Sequence, residues 1–163
     1  MISKKVVGLL NDQIGLEGDS SQVYLAMAVW ADAAGFRGTA KFMFAQAEEE
    51  RGHMLKIVRF LAEVGETVTI PGVKSPKASY KDIEEVFVDA LKHERKVTAA
   101  IHGIMTEARA GNDYSVISFI QWFVSEQVEE EANVRQVLDI IRLAGKVSLY
   151  LADKEIGQIR GEK

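Results

Sequence analysis

The chain has 163 residues, 47% of them hydrophobic, a formal net charge of −4, three histidines and no cysteine. That size suits a single domain over residues 1–163 with a substantial core, and the mild acidity argues against nucleic acid as a partner. Without thiols there are no disulfides, iron–sulfur clusters or thiolate metal sites, so glutamate, aspartate and histidine remain as candidate ligands, and no apolar run approaches the ~20 residues of a membrane span.

The first stretch, Met1-Ile2-Ser3-Lys4-Lys5, reaches polar residues by Asn11 without a signal-peptide apolar region, so a cytoplasmic location is expected. Only two prolines occur, Pro71 and Pro76, which leaves long proline-free stretches on either side. Proline inside a helix costs ~3 kcal/mol, so this layout favours helices. The first helix is expected from Ser3 to Ala34, stopped by Gly35. Gly8, Gly15 and Gly18 weaken it, each by roughly 1 kcal/mol relative to alanine. Gly15 and Gly18 also flank Glu17, which loosens the expected helix at that point. The second helix is expected from Thr39, with Gly38-Thr39 at its start, to Val64, ending at Gly65.

Glu66 to Ser79 reads as a long connection holding both prolines, with a hint of period-two alternation at Thr67 to Ile70. It exceeds the usual link between neighbouring bundle helices and can run the length of a bundle. Ser79-Tyr80-Lys81-Asp82 resembles a capping box with aspartate in place of glutamate, opening a third helix that runs to Ala110. Gly111-Asn112-Asp113 breaks the chain, a fourth helix follows from Tyr114 to Ala144, and a short fifth from Ser148 to Gly157. The expected fold is all-α: a four-helix bundle with one long crossover and a short C-terminal helix.

Ligand-type residues sit inside the apolar stripes. Glu48-Glu49-Glu50 reads at first as a solvated face, but Glu50 and His53 align with Met43, Ala47, Met54, Ile57 and Leu61, whereas Glu48 and Arg51 do not. Glu17 aligns with Leu10, Ile14, Tyr24 and Ala28; Glu94 with Phe87, Val97 and Ile101; Gln127 and Glu130 with Ile120, Val124, Val134 and Val137. One offset of 77 residues maps Glu17 onto Glu94, Glu49 onto Glu126, Glu50 onto Gln127 and His53 onto Glu130. Two related hairpins presenting ligands to a common centre account for that offset. Four buried acids and one imidazole cannot neutralise one another, and two divalent cations can. A carboxylate-rich set with one histidine suits iron or manganese better than zinc or copper. Glu50 and Glu130 are the natural bridges between two ions.

With these motifs the chain resembles the non-haem prokaryotic ferritins over nearly its whole length. The resemblance rests on Glu17 with Tyr24 seven residues on, Glu49-Glu50-x-x-His53, His93-Glu94, the run from Phe119 through Glu126-Gln127-x-Glu129-Glu130-Glu131, and Asp153-Lys154-Glu155. It implies a ferritin-like fold and a ferroxidase that oxidises Fe2+ with dioxygen or peroxide. It also implies storage of ferric mineral in a homo-oligomeric cage of 24 subunits. By position it implies a first iron at Glu17, Glu50 and His53, and a second at Glu50, Glu94 and Glu130 with Gln127 close by. A third would sit at Glu49, Glu126, Glu129 and Glu130, and Tyr24 would hydrogen-bond near the diiron centre and supply an electron. Bacterioferritins carry a second Glu-x-x-His and a haem-ligating Met directly after the first Glu. Here the second motif reads Gln127-x-x-Glu130 and Arg51 holds the Met position, so no haem is expected. A rubrerythrin-like peroxidase would need a cysteine-ligated iron centre as reductant. A Dps-like shell protein would place its ligands between subunits rather than in an intrachain repeat.

Overall fold

The computed structural model describes residues 2–145 and 148–159. Among them five α-helices and no strand occur: α1 Lys4–Ala33, α2 Arg37–Glu63, α3 Ile83–Ala110, α4 Tyr114–Ala144 and α5 Leu149–Ile159. Among the described residues no helix is long and apolar enough to cross a membrane.

The buried stripes form two apolar cores. One gathers Tyr24, Met27, Phe42, Met43, Phe87, Val134, Val137 and Ile141, and α5 adds Ile156 to it. The other gathers Val6, Leu10, Ile14, Ile57, Leu61, Val97, Ile101, Ile120 and Phe123. Each long helix passes from one core to the other once, and the order of its buried residues gives its direction. α1 and α4 enter the second core first, whereas α2 and α3 enter the first core first. α2 and α3 therefore run parallel, and a tight turn cannot join two parallel helices. The chain must travel back along the whole bundle between them, which is why the crossover exists.

That crossover is laid on α1. Asn11 holds it from both sides, its Nδ2 donating to Thr67 O at 3.0 Å and its Oδ1 accepting from Thr69 N at 2.6 Å. Asp19 Oδ1 accepts from Lys74 N at 2.8 Å. Between these anchors a Cβ on Gly15 would lie 3.0 Å from Pro71 Cγ, and one on Gly18 would lie 3.5 Å from Val73 Cγ1 and 3.4 Å from Met54 Sδ. Both glycines are in regular helix; at Gly15 the room left is taken by Pro71 of the crossover, whereas a Cβ on Gly18 would make ordinary van der Waals contact.

The helix ends sharpen the sequence expectations. Ser3 caps α1, its Oγ accepting from Val6 N at 3.3 Å. α3 starts later than the Ser79 motif suggests. Asp82 is its cap, accepting from Glu85 N at 2.8 Å, while Glu85 Oε2 accepts from Lys81 N at 2.7 Å. The Glu85 carboxylate thus reaches one residue past the cap, a variant of the capping box, and the later start lengthens the connection. Gly35, Gly65 and Gly145 take positive φ after α1, α2 and α4, but after α3 Asn112 does so (φ 56°) rather than Gly111. α2 begins at Arg37, not Thr39, and its cap residue Phe36 offers no side-chain acceptor. Its orphan N–H groups are satisfied from the far end of the chain: the Asp153 carboxylate of α5 accepts from Gly38 N, Thr39 N and Thr39 Oγ1, each at 2.8 Å.

Gly38 and Gly157 let the two helices approach this closely. A Cβ on Gly38 would fall 1.7 Å from the Asp153 carbonyl oxygen, whereas one on Gly8 meets nothing within 4 Å. The same substitution should therefore act in opposite directions. Gly8→Ala should raise unfolding stability by about 0.5–1 kcal/mol. Gly38→Ala should lower it by about 2 kcal/mol or more by displacing α5 and its cap. Urea midpoints of the two variants check this, and a shift of the same sign in both contradicts it.

Candidate metal centre

Between the two cores lies a polar layer to which every long helix contributes. Glu17 comes from α1, Glu50 and His53 from α2, Glu94 from α3, and Gln127 and Glu130 from α4. None is more than 5% exposed. The run around residue 50 divides at this layer: Glu48 and Arg51 are exposed, Glu49 is half-buried, and Glu50 and His53 are buried.

Ligand atoms of Glu17, Glu50 and His53 all lie within 4.8 Å of one another. His53 Nδ1 is 3.5 Å from Glu50 Oε2 and 3.9 Å from Glu17 Oε2. Glu17 Oε1 accepts from Gln13 Nε2 at 2.8 Å, but its Oε2 has no hydrogen-bond partner although it is fully buried. A buried carboxylate oxygen left unpaired beside an imidazole nitrogen suits a position made for a cation.

Glu94 and Glu130 join the layer through amides. Gln46 Nε2 donates to Glu50 Oε1 at 3.0 Å and to Glu130 Oε2 at 2.9 Å, tying α2 to α4. Glu94 accepts the Tyr24 hydroxyl on Oε1 and Gln127 Nε2 on Oε2 at 3.0 Å. A second group, Glu49, His53 and Glu126, also has ligand atoms within 4.8 Å of one another, on the solvent side of the layer. Glu129 is exposed.

The electrostatics follow from packing like charges in low dielectric. Burial, then the Glu50 carboxylate, pushes Glu17 well above the usual carboxylate range. Burial and Glu50 likewise push Glu94 up to about 8. Glu50 is the member that stays ionised: burial works to raise it, but the His53 imidazole and the protonated Glu17 carboxyl beside it, with the Gln46 amide, outweigh burial and hold it below its ordinary value. His53 is lowered by burial and raised more by Glu50, so it ends above the ordinary imidazole value. Burial and the Glu94 charge keep Tyr24 firmly protonated. With no cation in place, protons on Glu17 and Glu94 relieve the repulsion.

Aromatic rings fix the periphery. His53 is edge-on to Trp122 and Phe123, with ring centroids 5.4 and 5.9 Å away, and Lys56 Nζ sits 3.3 Å from the Trp122 ring centroid. His93 packs edge-on to Tyr24 at 5.9 Å, with its Nε2 2.7 Å from Ser20 Oγ. Gln13 and Gln46 are buried parts of the layer that the sequence reading passed over. Their signal was present: each precedes a stripe glutamate by four residues, the spacing at which an amide reaches the carboxylate along one helix.

The chain matches the family model described as Ferritin-like domain over residues 7–144. It is 40% identical over 161 residues to a probable bacterial non-heme ferritin-like protein of Haemophilus influenzae, covering 98% of each chain. It is 39% identical to a bacterial non-heme ferritin of Campylobacter jejuni, covering 98% of this chain and 96% of that one. Its fold superposes with a TM-score of 0.93 on an open pore ferritin from the hyperthermophilic archaeon Archaeoglobus fulgidus. That pair is 35% identical, covering 96% of this chain and 98% of that one.

The raised Glu94 carboxyl makes the metal-free protein pH-sensitive in a defined direction. Unfolded glutamate titrates near ~4.3, so between there and about 8 the folded chain holds a proton that the unfolded chain has released. That contribution is complete below the lower value and lost as pH rises through the upper one. Metal-free protein should lose on the order of 2 kcal/mol between pH 6 and pH 9, and Glu94→Gln should flatten the decline. Chemical denaturation in chelator across that window measures it; an unchanged slope in the variant contradicts the assignment.

Proposed function

We propose that this chain, which belongs to the ferritin-like domain family, is an iron-storage ferroxidase. It takes Fe2+ into the layer between its two cores, oxidises it, and passes Fe3+ to a mineral held inside a cage of its own copies. The observation that carries the reading is the layer itself: four buried carboxylates and one imidazole, drawn from all four long helices, with Glu17 Oε2 unpaired. The whole chain, 1–163, is read as one diiron domain.

Iron is the substrate. Glu17, Glu50 and His53 take one Fe2+, and Glu50, Glu94 and Glu130 take the other, with Glu50 shared. Four ionised carboxylates match the charge of two Fe2+, so metal entry drives off the protons on Glu17 and Glu94. Each Fe2+ gives up one electron. The pair reduces dioxygen with two protons to hydrogen peroxide, or hydrogen peroxide with two protons to water. Two Fe3+ then exceed the charge of the four carboxylates by two in a buried site, which favours their departure. Glu49, Glu126, Glu129 and Glu130 form a third position on the solvent side, toward which Fe3+ can move. Tyr24, hydrogen-bonded to Glu94, is placed to supply a further electron, and Gln127 holds Glu94 in position. The cage is read as 24 subunits of 18.1 kDa in the cytoplasm.

The test is an anaerobic Fe2+ titration of the assembled protein followed by oxygen. Ferric absorbance should rise with two Fe2+ per subunit in the fast phase. The double variant Glu50→Ala with His53→Ala should slow that phase by about two to three orders of magnitude. Native mass measurement on the same sample should give a hollow 24-subunit particle. An unaltered fast phase in the double variant refutes the ferroxidase site, and a monomeric or dimeric particle refutes storage.

A further inference from the structure

Behind Glu94 the polar layer does not end at Gln127. Gln127 Nε2 lies 3.0 Å from Glu94 Oε2, 3.3 Å from the Glu94 backbone oxygen and 3.2 Å from Thr98 Oγ1. Thr98 Oγ1 in turn donates to Glu131 Oε1 at 2.8 Å. Glu131 Oε2 accepts from Arg135 Nη1 at 2.9 Å and has Arg95 Nε at 4.0 Å. A continuous chain thus runs from two surface arginines through Glu131, Thr98 and Gln127 to a ligand carboxylate.

The chemistry of the middle link fixes the rest. A threonine hydroxyl has one proton. Glu131, paired with arginine and with a side chain only 17% exposed, is an acceptor, so that proton goes to it. Thr98 then faces Gln127 with a lone pair alone and can take only the amide nitrogen. The amide is held with N–H toward Glu94 and its oxygen turned away. Thr98 is one turn beyond Glu94 on the same helix, so this contact also sets the amide's height relative to the carboxylate.

We infer that Thr98, held by Glu131, is a positioning residue for the second iron position: it orients the Gln127 amide, which in turn orients Glu94 for metal. The inference rests on the reading of Glu94 as a ligand of one of two metal positions. It touches neither Glu17 nor His53, so it makes a selective claim. Disturbing the chain should weaken the position that uses Glu94 and spare the one that uses Glu17, Glu50 and His53.

Co2+ titration of the assembled protein, followed by its visible absorbance and by calorimetry, tests this. The wild-type chain should show two binding phases, and Glu94→Ala should abolish one. Thr98→Val keeps the shape and removes the hydroxyl; it should weaken that same phase by about tenfold, the usual scale for losing a hydrogen-bond partner behind a metal ligand. The other phase should stay unchanged, and Thr98→Ser should restore the first to within about twofold of wild type. Glu131→Gln, a change at the surface end that leaves the bundle core untouched, can donate to Thr98 and reverse its proton, so it should also weaken only the Glu94 phase. The inference is overturned if Thr98→Val leaves both phases unchanged or weakens both equally, or if Thr98→Ser is as weak as Thr98→Val. It is also overturned if Glu131→Gln leaves the Glu94 phase intact. If Glu94→Ala keeps both phases, the two-position reading itself fails and the inference falls with it; a normal loss in Glu94→Ala with an unaffected Thr98→Val removes the inference alone.

Discussion

Everything in this fold is arranged around one electrostatic difficulty: four carboxylates packed into a single buried layer. In low dielectric, mutual repulsion and lost hydration would drive such a layer apart unless its charge is cancelled. Without metal, protons cancel it, which is why Glu17 and Glu94 are held well above the ordinary carboxylate range while Glu50 stays ionised beside His53. With cations present, the same oxygens become ligands. The layer thus has two ways of relieving its charge, and proton release is the natural accompaniment of metal entry.

The backbone architecture follows from where that layer sits. Because it lies between two apolar cores, each long helix crosses it once and buries residues on both sides. The two cores supply the stability that the layer does not. Helix direction then makes α2 and α3 parallel, and joining parallel helices needs the long crossover. Laying that crossover on α1 requires a narrow helix surface opposite Pro71, which Gly15 provides. Gly15, which looks like a flaw in α1, answers a close approach set by topology.

How much of this was legible beforehand depended on the range of the interaction. Stripe membership is a local, periodic property, so Glu17, Glu50, His53, Glu94, Gln127 and Glu130 could be picked out and are found buried. The four long helices follow from glycine and proline punctuation. Partnerships between distant segments have no such signature. Asp153 capping α2 joins residues 114 positions apart, and nothing near Gly38 announces it. The α3 start was misplaced because Ser79 and Asp82 both head plausible boxes, and only the contact of Glu85 with Lys81 N decides between them. Thr98 was invisible for another reason: a half-buried threonine in a helix is unremarkable until its single proton has been traced.

The donors that reach Glu17, Glu50 and Glu94 are amides, a phenol and an imidazole rather than lysine or arginine. A cationic side chain would satisfy a buried carboxylate more strongly, but it would also compete with metal for the same charge. Amides hold each oxygen in place while leaving its charge available. Gln46 shows what this demands. It commits its amide nitrogen to two carboxylates on different helices, and its own Oε1 is left buried with no partner. An unsatisfied buried acceptor costs about 1–3 kcal/mol, a sizeable fraction of a domain's net stability. Replacing Gln46 with leucine would remove that cost along with the link between Glu50 and Glu130. Leucine would also strip a donor from two buried carboxylates, which costs more than one unpaired amide oxygen, so the glutamine is the part that keeps Glu50 and Glu130 close and correctly turned.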